Sequence, residues 1–205
     1  MDDIVIRAME KWPNVPVVYG WLALDRRGIW SIKGATRTGA TDTGTGFEPV
    51  NNAKLIEFIG RNYTHDDAGR WYFQNGPQRV YVDLAYTPIV YRIAGTRPLS
   101  FETHAGEPSA DLRSAWMDEA GNLLLVTEHG PGMLLDRDLP RGLESLSYAD
   151  GHALDDERLL ALLEDGEDAA GVYFNTGAIS LPLALIRAED VPERLGFVRV
   201  PQPQD

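Results

Sequence analysis

Any chemistry in this sequence has to come from its histidines, its carboxylates, its glycine-rich turns or one unusual hairpin. The 205-residue chain holds four histidines, His65, His104, His129 and His152, with Asp66, Asp67 and Asp150 near two of them. None stands in a His-x-x-x-His or comparable spacing, the pattern that sets two imidazoles on one helix face around a metal. Each falls in an expected turn or loop, where polar residues occur anyway, so they read as surface histidines and no metal is expected. Cysteine is absent, which removes thiolate catalysis, zinc–thiolate sites and disulfides together. Gly44-Thr45-Gly46 and Gly130-Pro131-Gly132 belong to no Gly-x-Gly-x-x-Gly run and precede no phosphate-binding lysine, so no nucleotide cofactor is expected. The nucleophile elbow Gly-x-Ser-x-Gly does not occur. The carboxylates Asp136, Asp138, Asp155 and Asp156 sit at helix starts and in loops, where such groups cap or stay solvated. No catalytic residue is assigned.

The segment Trp71 to Arg79 remains, with aromatics, two amides and an arginine around one hairpin tip. Read functionally, Trp71, Asn75, Gln78 and Arg79 form a recognition edge: the aromatic supplies contact area and the guanidinium a fork for carboxylates. Read structurally, Asn75-Gly76-Pro77 is turn chemistry and Arg79 pairs with Asp83 or a neighbouring strand. Both readings stay open. Trp12, Trp21, Trp30 and Trp116 read as core.

Local elements must position that hairpin. Asp2 to Lys11 carries Ile4, Val5, Ala8 and Met9 near one helical face, and Pro13 and Pro16 end it. Tyr19–Leu24 and Ile29–Lys33 read as strands around Asp25-Arg26-Arg27-Gly28; the aspartate bonds its own backbone and the glycine accepts a positive φ. Gly34–Pro49, rich in Gly and Thr, reads as a loop. Asn51 or Asn52 caps a helix with Leu55, Ile56, Phe58, Ile59 and Tyr63 on one face. Asp66-Asp67-Ala68-Gly69 is a second turn of the same kind, followed by strands Trp71–Phe73, Arg79–Leu84 and Ile89–Ile93. The second half then shows Trp116, the turn Asp118–Gly121 and a strand Asn122–Thr127. An irregular stretch, Glu128–His152, follows. Asp155 or Asp156 caps a helix with Leu159, Leu160, Leu162 and Leu163. Strands Val172–Phe174 and Ile179–Arg187 come next, with a short helical turn near Val191–Arg194 and an extended Phe197–Val200.

The halves run in the same order. Trp21 with Asp25 and Gly28 matches Trp116 with Asp118 and Gly121; Leu55-Ile56 matches Leu159-Leu160; Tyr72-Phe73 matches Tyr173-Phe174. The alternation Val80, Val82, Leu84 matches Leu181, Leu183, Leu185. The fold class expected is α+β: two tandem hairpin–helix–hairpin units, each an antiparallel sheet packed on one helix. The units expected are 1–97, with the N-terminal helix, and 98–205, with the C-terminal tail.

Charge narrows the partners. The formal net charge is −12, from 31 acidic and 19 basic side chains. A field of that sign repels phosphate backbones and anionic membranes, so neither nucleic acid nor a membrane is expected as a partner. No apolar run reaches the roughly 18 residues of a spanning helix. Met1-Asp2-Asp3-Ile4 has no basic start or apolar stretch, and with the missing cysteines the expected location is the cytoplasm.

Lys11-Trp12-Pro13-Asn14-Val15-Pro16, Tyr19-Gly20-Trp21-Leu22, Gly69-Arg70-Trp71 and Phe73-Gln74-Asn75-Gly76-Pro77-Gln78-Arg79-Val80-Tyr81-Val82 together resemble a proteobacterial family of unknown function. The resemblance covers most of the first 95 residues. More distantly, the order of elements resembles the bacterial domain-of-unknown-function family twelve eighty-five, and implies an α+β fold of repeated motifs in two subdomains, with a suggestion of signal transduction. Neither resemblance brings a catalytic residue. The function expected is a non-enzymatic binding or regulatory module for a protein or small-molecule ligand, whose exposed strand edge would allow a homodimer. The alternative is a small-molecule enzyme with its site in a cleft between the halves.

Overall fold

Three aspartates build the hairpins of this chain in one way. Asp25 Oδ1 accepts the backbone N–H groups of Arg27 and Ile29, at 2.8 Å each. Asp66 Oδ1 accepts those of Ala68 and Arg70, and Asp118 Oδ1 those of Ala120 and Asn122. In each turn the closing glycine N–H returns to the aspartate carbonyl. The turns join β1 (Val18–Leu24) to β2 (Trp30–Lys33), β4 (Tyr63–His65) to β5 (Trp71–Asn75), and β10 (Leu112–Asp118) to β11 (Leu123–Thr127). Asn75-Gly76-Pro77 turns β5 into β6 (Gln78–Leu84).

The computed structural model describes residues 1–34, 46–164 and 169–203, with Leu163 and Glu164 described by backbone alone. Most of the Gly/Thr-rich loop expected over Gly34–Pro49, including Gly44 and Thr45, lies outside the described residues. The chain is mixed α+β, mostly strand, with two sheets and five α-helices among the described residues. It divides into two units, Met1–Pro88 with Gly196–Asp205, and Ile89–Leu195. The boundary expected at 97/98 is displaced for two reasons. β7 (Ile89–Ala94) pairs in parallel with β12 (Gly130–Leu134) of the second unit. The tail rejoins the first unit, where Val198 N–H donates to the Gly69 carbonyl and Leu84 N–H to the Arg199 carbonyl.

The first unit is a six-stranded sheet in the order β3 (Phe47–Pro49), β2, β1, β6, β5, β4. Its central pair, β1 and β6, is parallel, so the antiparallel sheet expected is corrected to a mixed one. The cause is connectivity: two hairpins meet at their inner strands, and parallel neighbours require a long crossover. Helix α2 (Ala53–Arg61) lies in that crossover. Asn52 Oδ1 caps it by accepting Leu55 N–H at 3.1 Å, and Phe58 packs edge-on to Phe73, 5.4 Å between centroids. Leu22, Leu24, Trp30, Phe73, Val82 and Leu84 form the buried core of this unit. Helix α1 (Asp3–Lys11) buries Val5 and leaves Ile4 exposed.

The second unit is a nine-stranded sheet: β13 (Leu146–Tyr148), β14 (Val172–Asn175), β15 (Ser180–Ile186), β10, β11, β12, β7, β8 (Ser100–Thr103), β9 (Pro108–Ser109). Here too the sheet is mixed, since β10 and β15 run parallel. The stretch Glu128–His152, expected to be irregular, contains β12, a 3₁₀ turn at Asp136–Asp138, α3 (Leu139–Leu143) and β13. Asp155 Oδ1 accepts Arg158 N–H at 2.7 Å at the start of α4 (Asp156–Glu164). Leu162 is buried while Leu160 is exposed, so these two leucines do not share one face. A short helix, α5 (Val191–Leu195), closes the unit.

Read outward from their parallel pairs, the sheets show matching order and register. Leu24 faces Leu84 and Leu22 faces Val82 in one; Met117 faces Leu185 and Ala115 faces Leu183 in the other. Phe73 pairs with Val80, and Phe174 with Leu181. The expected match of Trp21 with Trp116 does not hold. Counted back from the turn aspartates, Trp116 aligns with Ala23.

Candidate functional site

Strand alternation divides the hairpin β5–β6 between two faces. Trp71 and Phe73 take the face under α2; Tyr72, Gln74, Arg79 and Tyr81 take the other. Trp71 is 4% exposed and packs against the rings of Tyr63 and His65, at 4.8 and 5.0 Å, so it is core and offers no contact area. Asn75 and Gln78 pair at the hairpin end, where Asn75 is exposed and Gln78 Nε2 donates to the Pro16 carbonyl at 3.3 Å. Arg79 lies with its guanidinium 4.0 Å above the Tyr72 ring. Its Nη1 donates to the Tyr81 hydroxyl at 3.4 Å. The structure therefore does not gather the four expected residues. Arg79 belongs to a different group.

That group centres on Tyr81. Tyr19 stacks on it, 4.7 Å between centroids and 14° between planes. Tyr72 meets it edge-on at 5.9 Å, and the Arg70 guanidinium lies 5.0 Å from its ring centre. The Tyr81 hydroxyl donates to Asp66 Oδ2 at 2.9 Å, and Arg70 bridges the same oxygen at 2.8 Å. Burial works to raise the Asp66 pKa. The Arg70 guanidinium, the Arg70 backbone N–H and the Tyr81 hydroxyl outweigh it and hold the carboxyl below its usual value. Asp66 therefore serves Arg70 and Tyr81. Among the described residues no carboxylate stands within ion-pair distance of Arg79. Asp83, on the same face, does not pair with it, and burial raises its pKa despite Lys33.

A bulge brings Tyr19 into place. Between Val18 and Leu22, β1 spends four residues against two on β6, and Gly20 sits inside the bulge at φ +66°. Bulges re-aim side chains in this way. Beyond it Trp21 is 54% exposed, and Trp12 is exposed too, so two of the tryptophans expected in the core are surface residues. Tyr19, Asp66, Arg70, Tyr72, Gln74 and Tyr81 escaped sequence reasoning. The available signal was the Asn-Gly turn, which fixes Gln74 opposite Arg79 and Tyr72 opposite Tyr81.

In the second sheet the matching pairs are Asn175 with Ser180 and Tyr173 with Pro182. It keeps the framework without the Arg–Tyr group. His104, expected at the surface, is buried instead: its Nδ1 accepts Val90 N–H at 3.3 Å, and burial, aided by Arg92, lowers its pKa to about 3. Glu128 accepts the Ser109 hydroxyl and the N–H groups of Ala110 and Asp111. Among the described residues no group of three His, Asp or Glu side chains could hold a metal.

Fold and site together define a strand-rich α+β protein with one aromatic and cationic sheet face. The chain belongs to the family DUF2944, whose model, described as "Protein of unknown function (DUF2946)", matches residues 1–202. No curated protein matches it. Among solved structures, a DUF1285 family protein from Silicibacter pomeroyi DSS-3 is 15% identical, with a TM-score of 0.52, covering 90% of this chain and 96% of that one. A DUF1285 family protein from Shewanella baltica OS155 is 14% identical, with a TM-score of 0.43, covering 58% and 87%. The likeness to the first is one of fold, as the order of elements implies. No helix among the described residues is long and apolar enough to cross a membrane.

Proposed function

We propose that this protein is a non-enzymatic binding module of regulatory type, and that its ligand meets the Arg79 face of the first sheet. One observation carries the reading: where the first sheet has Arg79 and Tyr81 the second has Ser180 and Pro182, with Tyr173 matching Tyr72, and the β10–β15 pair has no counterpart of the bulge that places Tyr19. Tyr72, Gln74 and Tyr81 are buried on this face as well, while Tyr19 and Arg79 are half-buried and reach solvent. Asp66, the acidic group nearest Tyr81, is committed to Arg70, Tyr81 and two backbone N–H groups, which leaves it poorly placed as a general base. The matching strand order and register further support the inference that the two sheets are copies of one unit, with β7 to β9 added beside the second.

The test is a thermal-shift screen of small metabolites against the wild-type chain and Arg79→Ala. A ligand at 100 times its Kd adds about 2.7 kcal/mol. The expected result is a stabilising ligand whose effect the variant loses. A ligand effect unchanged in Arg79→Ala, or turnover of the stabilising compound, would reject the reading.

A further inference from the structure

Independently of any ligand, we propose that Asn75 is a site of spontaneous covalent modification, where the chain cyclises onto Gly76 and reopens to aspartate and isoaspartate. Of the asparagines in the chain, Asn75 alone precedes a glycine. Glycine has no side chain to shield its nitrogen from the neighbouring carboxamide. The structure leaves both reacting groups loose. Asn75 is exposed at the hairpin end, and among the described residues no hydrogen bond holds its carboxamide or takes the Gly76 N–H. The tip is open, since a Cβ added at Gly76, at φ +56°, would meet nothing within 4 Å. Other asparagines are tied down. Asn52 Oδ1 accepts Leu55 N–H, Asn62 Nδ2 donates to the Phe58 carbonyl, Asn122 Nδ2 donates to Asp118, and Asn175 Oδ1 accepts Gly177 N–H.

The reaction needs only water. Gly76 N bonds to Asn75 Cγ, the Cγ–Nδ2 bond breaks, and ammonia leaves with the proton of the Gly76 N–H. Water then opens the succinimide. Cleavage between Cγ and the nitrogen gives aspartate; cleavage at the main-chain carbonyl gives isoaspartate, whose backbone is one carbon longer. Either product sets a negative charge where a neutral amide stood. Asn75 pairs with Gln78 in the ladder, so ring closure waits on opening of that last pair. The next pair inward is Gln74 with Arg79, and the extra backbone carbon of isoaspartate falls beside it.

Peptide mapping by mass spectrometry of the full chain, aged at mildly alkaline pH and physiological temperature, tests this. The Asn75 peptide should exchange its amide for a carboxylate before any other asparagine peptide does, in aspartyl and isoaspartyl forms. Asn75→Ser should abolish the change at this position and leave the rest of the map as it is. In the aged wild type, the Gln74 and Arg79 amide NMR signals should split into two sets. An Asn75 peptide that stays intact, or that reacts after the other asparagines, overturns the site. Unsplit signals in protein that carries isoaspartate overturn its effect on the Arg79 pair.

Discussion

Two side chains concentrate the polar chemistry of this protein. Tyr81 joins the Asp66–Arg70 pair to Arg79 through one hydroxyl, while its ring supports Tyr19. Tyr81→Phe should keep the stack and lose about 1 kcal/mol of stability in urea denaturation, the scale of one hydrogen bond. A loss above about 3 kcal/mol would mean that the ring packing had changed as well. Glu128 is the second. Burial works to raise its pKa, but Ala110 N–H, the Ser109 hydroxyl and Asp111 N–H hold it at about 2, below the ordinary 4.5. Its stabilisation is thus complete above the unfolded value and fades as pH falls from 4.5 towards 2. Glu128→Gln should cost about 1–2 kcal/mol at neutral pH, with the gap to wild type narrowing across that acid window. A gap independent of pH would refute the assignment.

At the scale of elements, the Asp-x-x-Gly turns decide where strands reverse. Asp118 is the most deeply placed of the three. Its Oδ1 accepts two backbone N–H groups, and both of its oxygens accept Asn122 Nδ2. Asp118→Ala removes a buried acceptor from part-buried donors on Ala120 and Asn122 and should cost about 2–3 kcal/mol, against about 1 kcal/mol for Asp25→Ala in its exposed turn. Equal costs would show that burial does not set the scale. The sheet edges are short: β3, β4 and β13 have three residues each and β9 has two. Short edges offer little template for a second chain.

For the molecule as a whole, the return of the tail matters most. Gly69 sits at φ +72°, and a Cβ there would lie 2.3 Å from the Gly196 carbonyl oxygen. Phe197 is buried, and Val198 bridges Arg70. A chain ending at Leu195 should lose hydrogen-exchange protection at Leu84, whose N–H donates to Arg199, while the amides of Leu123 to Leu125 in the second unit keep theirs. Uniform loss in both units would mean that they unfold as one. Gly69→Ala should reproduce the first-unit effect at a cost above about 2 kcal/mol, because neither backbone segment can yield.

Local signals in the sequence determined the hairpin turns, helices α1 and α2, and the alternating strands β1, β6 and β15. The aspartates, the glycines, Asn52 and the apolar periods act within a few residues of themselves. β12 and β13 were hidden in Glu128–His152 because short strands among Gly and Pro are specified by their partners. The tertiary structure decided that β1 and β6 run parallel, that β7 joins the second unit, and that Trp71 packs on the α2 face while Tyr72 and Arg79 take the opposite one. A period of two says that neighbours part company; with aromatics on both faces it does not say which face α2 will cover. That choice was made by Phe58 meeting Phe73, a contact between distant residues that no local pattern encodes.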